Sequence, residues 1–146
     1  DIRCEKGLTG VTLARVENGR PVPGTEISYD CDTLLLSCGL LPENELSRGA
    51  GVPLNPVTGG PLVDEGLETD IPGVFAAGNV LHVHDLVDYV TQEAAQAGEN
   101  AAKYVLSGEK SSENRIKIQC TGGVRYTVPA QVHAGTNSLI IRVRVD

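Results

Sequence analysis

The sequence predicts a mixed α/β fold: a β-meander, one long helix and a small antiparallel β extension. Three patterns predict it. Apolar and polar residues alternate with a period of two between Gly10 and Cys31, the spacing that puts alternate side chains on opposite faces of a strand. From Asp85 to Gly108 the apolar period becomes helical. Beyond Asn114 the period returns to two.

The elements follow in order. Gly10 to Val16 reads as a strand, and Asn18-Gly19 carries the signature of a tight hairpin turn. Pro21 to Gly24 makes a second turn. Glu26 to Cys31 alternates as a half-exposed strand, with Ile27, Tyr29 and Cys31 on one face. Thr33 to Ser37 is nearly continuous apolar, as expected of a strand covered on both faces. Gly49 to Pro61 is rich in Gly and Pro and reads as loop, Pro61 to Asp64 as a short strand, and Glu65 to Asp70 as an acidic turn. Val74 to Ala77 is apolar and runs into Gly78 and Asn79. That order suits a buried parallel strand whose carboxyl end opens onto a ligand, because small residues admit close approach and one amide can hold a hydroxyl.

Val87, Val90, Ala94, Ala97, Ala101 and Val105 make one apolar stripe on the helix. Asp85 or Asp88 is expected to cap its start and Gly108 its end. Gly98 inside the helix is expected to pack closely against a strand, offsetting its cost of about 1 kcal/mol relative to Ala. In the last segment, Arg115 to Cys120, Val124 to Val128 and Ile141 to Val145 alternate. They are expected to form one small antiparallel sheet with a solvated basic face carrying Arg142 and Arg144.

Composition narrows function. The net charge of −7 and the scarcity of aromatics, four Tyr and one Phe, argue against nucleic acid, which needs clustered cations and stacking platforms. No apolar run approaches the length of a membrane span, so no membrane partner is expected. Residues 1–112 hold 7 basic and 17 acidic side chains, whereas 113–146 hold 5 and 2. That shift places a boundary between Ser107 and Asn114. The boundary is therefore expected at 110/111, with 111–146 a small β extension. Cys4, Cys31, Cys38 and Cys120 show no Cys-x-x-Cys and no metal spacing, and are expected to be reduced, buried thiols in a cytoplasmic protein. A first residue that is Asp, the lack of Met and the lack of a charged-then-apolar leader lead us to expect a carboxyl-terminal piece of something longer.

Ile71 to Val80, IPGVFAAGNV, is the most informative tract. It resembles the second flavin-contacting motif of the two-dinucleotide-binding flavoproteins, the FAD-dependent pyridine nucleotide-disulfide oxidoreductase family, roughly T-x-(I/V)-P-G-(V/I)-(F/Y)-A-x-G-D. Thr69, Ile71, Pro72, Gly73, Val74, Phe75, Ala76 and Gly78 match, and Asn79 stands where the family carries Asp. Asn is isosteric and still accepts a bond from a sugar-alcohol hydroxyl. Cys31 to Leu46 is similar to the end of the same family's NAD-binding domain, on Gly39, Pro42 and Asn44, with Glu43 inserted and Leu41 where Arg is common.

The resemblance covers about residues 8–108 and implies a remnant of an FAD/NAD(P) fold, with 1–45 the end of the NAD(P)-binding domain and 46–110 the carboxyl-terminal part of the FAD-binding domain. It implies FAD contacts at Gly78, Asn79 and Val80, backbone amides offered to the flavin by Thr91, Gln92 and Glu93, and Gly39 beside the nicotinamide nucleotide. A helix amino end near that flavin would favour electron uptake. No G-x-G-x-x-G opens a helix anywhere in the chain, so neither pyrophosphate cradle is present.

His82 and His84 are candidate catalytic residues. A His-x-His pair could move a proton near a flavin, could ligate a metal with Asp85 as third ligand, or could make structural hydrogen bonds, and no metal is expected. The implied cofactors are FAD and NAD(P)H in the full-length parent. The implied reaction passes electrons between NAD(P)H and an unknown small-molecule or protein acceptor, with the chain alone inactive and a homo-oligomer or a partner subunit both open. The alternative is a non-catalytic β-rich interaction module.

Overall fold

The alternation near the amino end does produce a meander. The structure, a computed structural model, describes residues 1–108 and 114–145. It divides into two compact units, residues 1–39 and the residues from Leu40 onward. Residues 40–45, grouped by sequence with the preceding domain, therefore pack in the second unit, and the expected boundary at 110/111 lies outside the described residues.

In the first unit β1 (Ile2–Cys4), β2 (Leu8–Leu13) and β5 (Ile27–Tyr29) form an antiparallel sheet in the order β1-β2-β5. Val11 pairs with Ile2 on one side and Tyr29 on the other, and is buried. Gly10 is required there, since a Cβ would collide with the Arg3 side chain and the Tyr29 carbonyl. Between them, β3 (Val16–Glu17) and β4 (Arg20–Pro21) close over Asn18 and Gly19, whose φ values of 49° and 74° are those of the expected hairpin turn.

Two expectations fail in this unit. Residues 33–37 form no strand, and Leu35 and Leu36 are 90% and 73% exposed. A strand covered on both faces needs sheet neighbours and flanking layers, and residues 1–39 supply one three-stranded sheet. Ile27 and Tyr29 on β5 are likewise exposed rather than alternating.

In the second unit a short helix, α1 (Glu45–Gly49), leads into the expected Gly- and Pro-rich loop. The short strand expected at 61–64 is reduced to single antiparallel bridges, Leu54 with Pro61 and Val63 with Thr69. Asp64 Oδ1 accepts from the amides of Gly66 (2.8 Å) and Glu68 (3.1 Å) and so closes the acidic turn. Val74 to Ala77 is not a parallel strand. Gly73, at φ 79°, turns the chain back on itself, and Phe75 bridges Glu68 in the antiparallel sense. A turn that tight can only make antiparallel neighbours.

The long helix, α2 (Val87–Ser107), ends as expected at Gly108, which is left-handed at φ 65° with its amide on the Tyr104 carbonyl. Its start differs. Leu86 is the N-cap and no side chain caps it; Asp85 instead pairs with Arg144 (3.2 Å) and Asp88 lies in the first turn. The inward stripe also differs. Glu93 and Ala97 are buried, Val90, Gln96, Asn100, Ala101 and Tyr104 are half-buried, and Val87, Ala94 and Val105 face out. Polar residues can line this face because Gln96 and Asn100 donate to the carbonyls of Glu65 and Gly66, both at 3.0 Å. Gly98 is exposed with nothing near its Cβ position, so the expected close packing is absent.

The last segment forms two ladders, not one sheet: β6 (Arg115–Lys117) with β8 (Gln131–His133), and β7 (Val124–Val128) with β9 (Arg142–Val145). Val128 joins Val63, Leu67, Ala76, Leu81 and Ala97 in the core. Of the basic face, Arg144 stays solvated beside the exposed Asp85, whereas Arg142 is partly buried against Glu93. The four cysteines are free, but Cys4, Cys38 and Cys120 are exposed and Cys31 is half-buried, contrary to the expected burial. Among the described residues no helix is long and apolar enough to cross a membrane.

Candidate functional site

Gly78 is the pivot of the site. The chain arrives extended at Ala77, and Gly78 takes φ 74°, a conformation that favours glycine. Gly78–Val80 then makes a short 3-10 turn, with the amides of Leu81 (2.9 Å) and His82 (3.2 Å) on the Gly78 carbonyl. A Cβ on Gly78 would lie 3.3 Å from Val90 Cγ1, so the first turns of α2 rest against this glycine. Val80 is fixed by Asn44, whose buried amide nitrogen donates to the carbonyls of Val80 (2.8 Å) and Gly59 (2.9 Å). Asn79 is exposed, and its Oδ1 accepts the His84 amide at 3.1 Å.

Glu93 is the hub beneath the turn. Its Oε1 accepts the Gly78 amide at 2.7 Å. Its Oε2 lies 3.4 Å from His82 Nε2, 3.1 Å from His84 Nε2 and 3.3 Å from Arg142 Nε. Burial alone would raise its pKa, but hydrogen bonds from His82 and Gly78 and the field of both histidines hold it below the ordinary glutamate value. Glu93 is therefore a buried carboxylate among donors. Arg142 also lies over the Tyr89 ring, 4.9 Å from its centroid. Both imidazoles, Tyr89, Tyr126 and Arg142 line a cavity of about 320 Å³.

The structure brings Gly78, Asn79, Val80, His82, His84 and Glu93 together in the second unit, while Gly39 lies in the first. Because α2 starts at Val87, the amides without a helical partner belong to its first turn. Thr91, Gln92 and Glu93 lie further in, where their amides serve the helix ladder. The His-x-His-Asp arrangement that the sequence left open is not formed: Asp85 turns to Arg144, and Glu93 lies with the two histidines instead. The sequence marked Asn44 only as a motif match and Arg142 only as part of a basic face, without a place at this site, and the carboxylate role of Glu93 was missed. An acidic residue on the inward face of a helix was the available signal for Glu93, whereas the other two depend on contacts across 36 and 49 residues.

A family model described as pyridine nucleotide-disulphide oxidoreductase matches residues 2–108, ending at the glycine that caps α2. A thioredoxin reductase of Listeria monocytogenes is 32% identical over 110 residues, which cover 74% of this chain and 32% of that protein. The chain thus spans about a third of the length of that relative.

Proposed function

The chain belongs to the pyridine nucleotide-disulfide oxidoreductase family, and from that premise we propose that it is the flavin-contacting, carboxyl-terminal part of an FAD-dependent oxidoreductase that passes electrons between NAD(P)H and another acceptor. Bound FAD would supply the two-electron chemistry. The reading rests on one observation: Gly78 packs against the first turn of α2, and the side chain of Asn79 beside it is exposed.

The residues present fit part of such a cofactor. Gly78 has the backbone freedom a close approach needs, and Asn79 Oδ1 keeps a second lone pair for a ribityl hydroxyl. Val80 is held in place by Asn44, which keeps the turn rigid. The open amides at the start of α2 and its dipole favour negative charge at that place. Thr91 and Gln92 are exposed on the helix and would contribute through side chains, since their amides are engaged. Gly39, at φ 118° with open space around it, could admit a nucleotide backbone closely. The adenosine and pyrophosphate would be held by residues outside this chain, which has no Gly-rich cradle.

The small β extension supports the site by anchoring Glu93 through Arg142. Electron transfer would thus need the rest of the protein, and the chain by itself would be inactive. The visible spectrum of the whole protein tests this. Flavin absorption bands that bleach on adding NADH or NADPH are the expected result. A colourless protein would overturn it and favour an interaction module.

A further inference from the structure

We propose that His82, His84 and Glu93 form a binding site for a divalent transition-metal ion of the zinc class. The inference goes beyond the flavin reading and does not depend on it.

One ligand atom from each of the three residues lies within 4.8 Å of the others. Tetrahedral zinc holds ligands at about 2.0–2.2 Å, which sets neighbouring ligand atoms about 3.3–3.6 Å apart. The imidazole nitrogens stand 3.1 and 3.4 Å from Glu93 Oε2, close to that edge and longer than the roughly 2.7–2.9 Å of a charge-assisted hydrogen bond.

Three nitrogens approach Oε2 within 3.4 Å: His82 Nε2, His84 Nε2 and Arg142 Nε. Arg142 is a donor in any state, whereas an imidazole carrying its proton on Nδ1 directs the Nε2 lone pair toward the carboxylate, an arrangement that a cation between them satisfies.

The side chains of His82, His84 and Glu93 are 7%, 2% and 3% exposed, so the ion would be shielded from water. The Gly78 amide on Oε1 and Arg142 on Oε2 are the outer hydrogen bonds that orient a ligating carboxylate. Two imidazoles and one carboxylate suit zinc rather than calcium or magnesium. Three protein ligands leave the fourth position to the cavity that both imidazoles line, where Arg142 favours an anionic occupant.

The test uses the 146-residue chain with its thiols alkylated, so that exposed cysteines cannot compete. Zinc is titrated against a chromophoric chelator. One equivalent should bind, and His84→Ala and Glu93→Gln should each weaken it by about 100-fold or more. Asp85→Asn should leave affinity within about threefold, since that carboxylate pairs with Arg144 at the surface. Cobalt added to the alkylated wild-type chain should give the intense visible bands of four-coordinate geometry, a readout that needs no variant. No stoichiometric binding, a weak six-coordinate cobalt spectrum, or equal affinity in His84→Ala would overturn the proposal. So would a loss in Asp85→Asn matching that in His84→Ala.

Discussion

Arg115 Nη2 lies 3.0 Å from Asp64 Oδ2, joining the first strand after residue 114 to the acidic turn that precedes the flavin-like motif. The same guanidinium reaches Asp70 Oδ1 (2.8 Å) and the Thr69 carbonyl (3.1 Å). The Asp64 side chain is 2% exposed, so its charge has little access to water. One arginine therefore holds the β extension to the segment around Thr69 and supplies the counter-charge for a buried carboxylate.

Arg115→Met should destabilise the chain by about 3–5 kcal/mol, the usual consequence of leaving a buried charge without its partner. Adding Asp64→Asn should recover most of that loss, because the amide keeps an oxygen for the Gly66 and Glu68 amides but carries no charge. Urea unfolding of the single and double variants measures both. Additive losses in the double variant would show that the pair is not coupled.

Asp64 and its neighbour Glu65 should respond to pH with opposite signs. Burial raises the pKa of Asp64, only partly offset by hydrogen bonds from Glu68 and the Arg115 charge. Its contribution is then fully present below the unfolded value of 3.8 and is lost as pH rises through the folded pKa. For Glu65 burial also pushes upward, but Thr136, its own backbone and His133 outweigh it and lower the pKa. Its contribution is present above the unfolded value of 4.5 and is lost as pH falls through the folded pKa. Relative to wild type, Asp64→Asn should therefore gain stability from pH 3 to pH 7 while Glu65→Gln loses it. Slopes of the same sign in chemical unfolding across that range would contradict the assignment.

What the sequence made legible was mainly local. Asn18-Gly19 and Gly108 were readable because a positive φ leaves a glycine signature in the neighbouring residues. The long helix was readable from its period, but the direction of its buried face was not. Val87 and Val105 look like core, yet Glu93 and Asn100 point inward, because their partners are a glycine amide and a carbonyl 15 and 34 residues away. The run at 33–37 misled for a related reason: burial of a strand depends on neighbours, and a hydrophobic run records only that it seeks them. Strands β1 and β8 are three residues each, too short for alternation to be visible. At the site, Gly78 and Asn79 were legible from residue type and order, while the histidines acquired their carboxylate only through folding.

Gly98→Ala should stabilise the chain by about 0.5–1 kcal/mol, the helix-propensity difference with no steric term against it. The residue is exposed in α2 and its Cβ position meets no atom within 4 Å. Thermal unfolding followed at 222 nm gives the answer for the isolated chain. A loss of stability would instead mean that the helix packs against something at Gly98. If the substitution stabilises the chain but impairs the whole protein, the glycine serves a neighbour that the chain itself does not provide.

Asn79 is the side chain proposed to hold the ribityl chain of the cofactor. Its Oδ1 accepts the His84 amide, and the same oxygen retains capacity for a ribityl hydroxyl. In the whole protein, Asn79→Asp should keep FAD, since an acceptor oxygen stays in both positions. Asn79→Leu removes it and leaves a buried hydroxyl unpaired, a cost of about 1–3 kcal/mol or roughly 5- to 150-fold in affinity. Because this change also frees the His84 amide, the Asp variant is the necessary companion: it preserves the loop contact and the cofactor contact together. Asn137→Leu, outside the site, should change affinity negligibly. FAD dissociation constants from fluorescence quenching decide the matter. Equal affinity in wild type and Asn79→Leu would remove Asn79 from the cofactor site and leave its bond to His84 as its whole role.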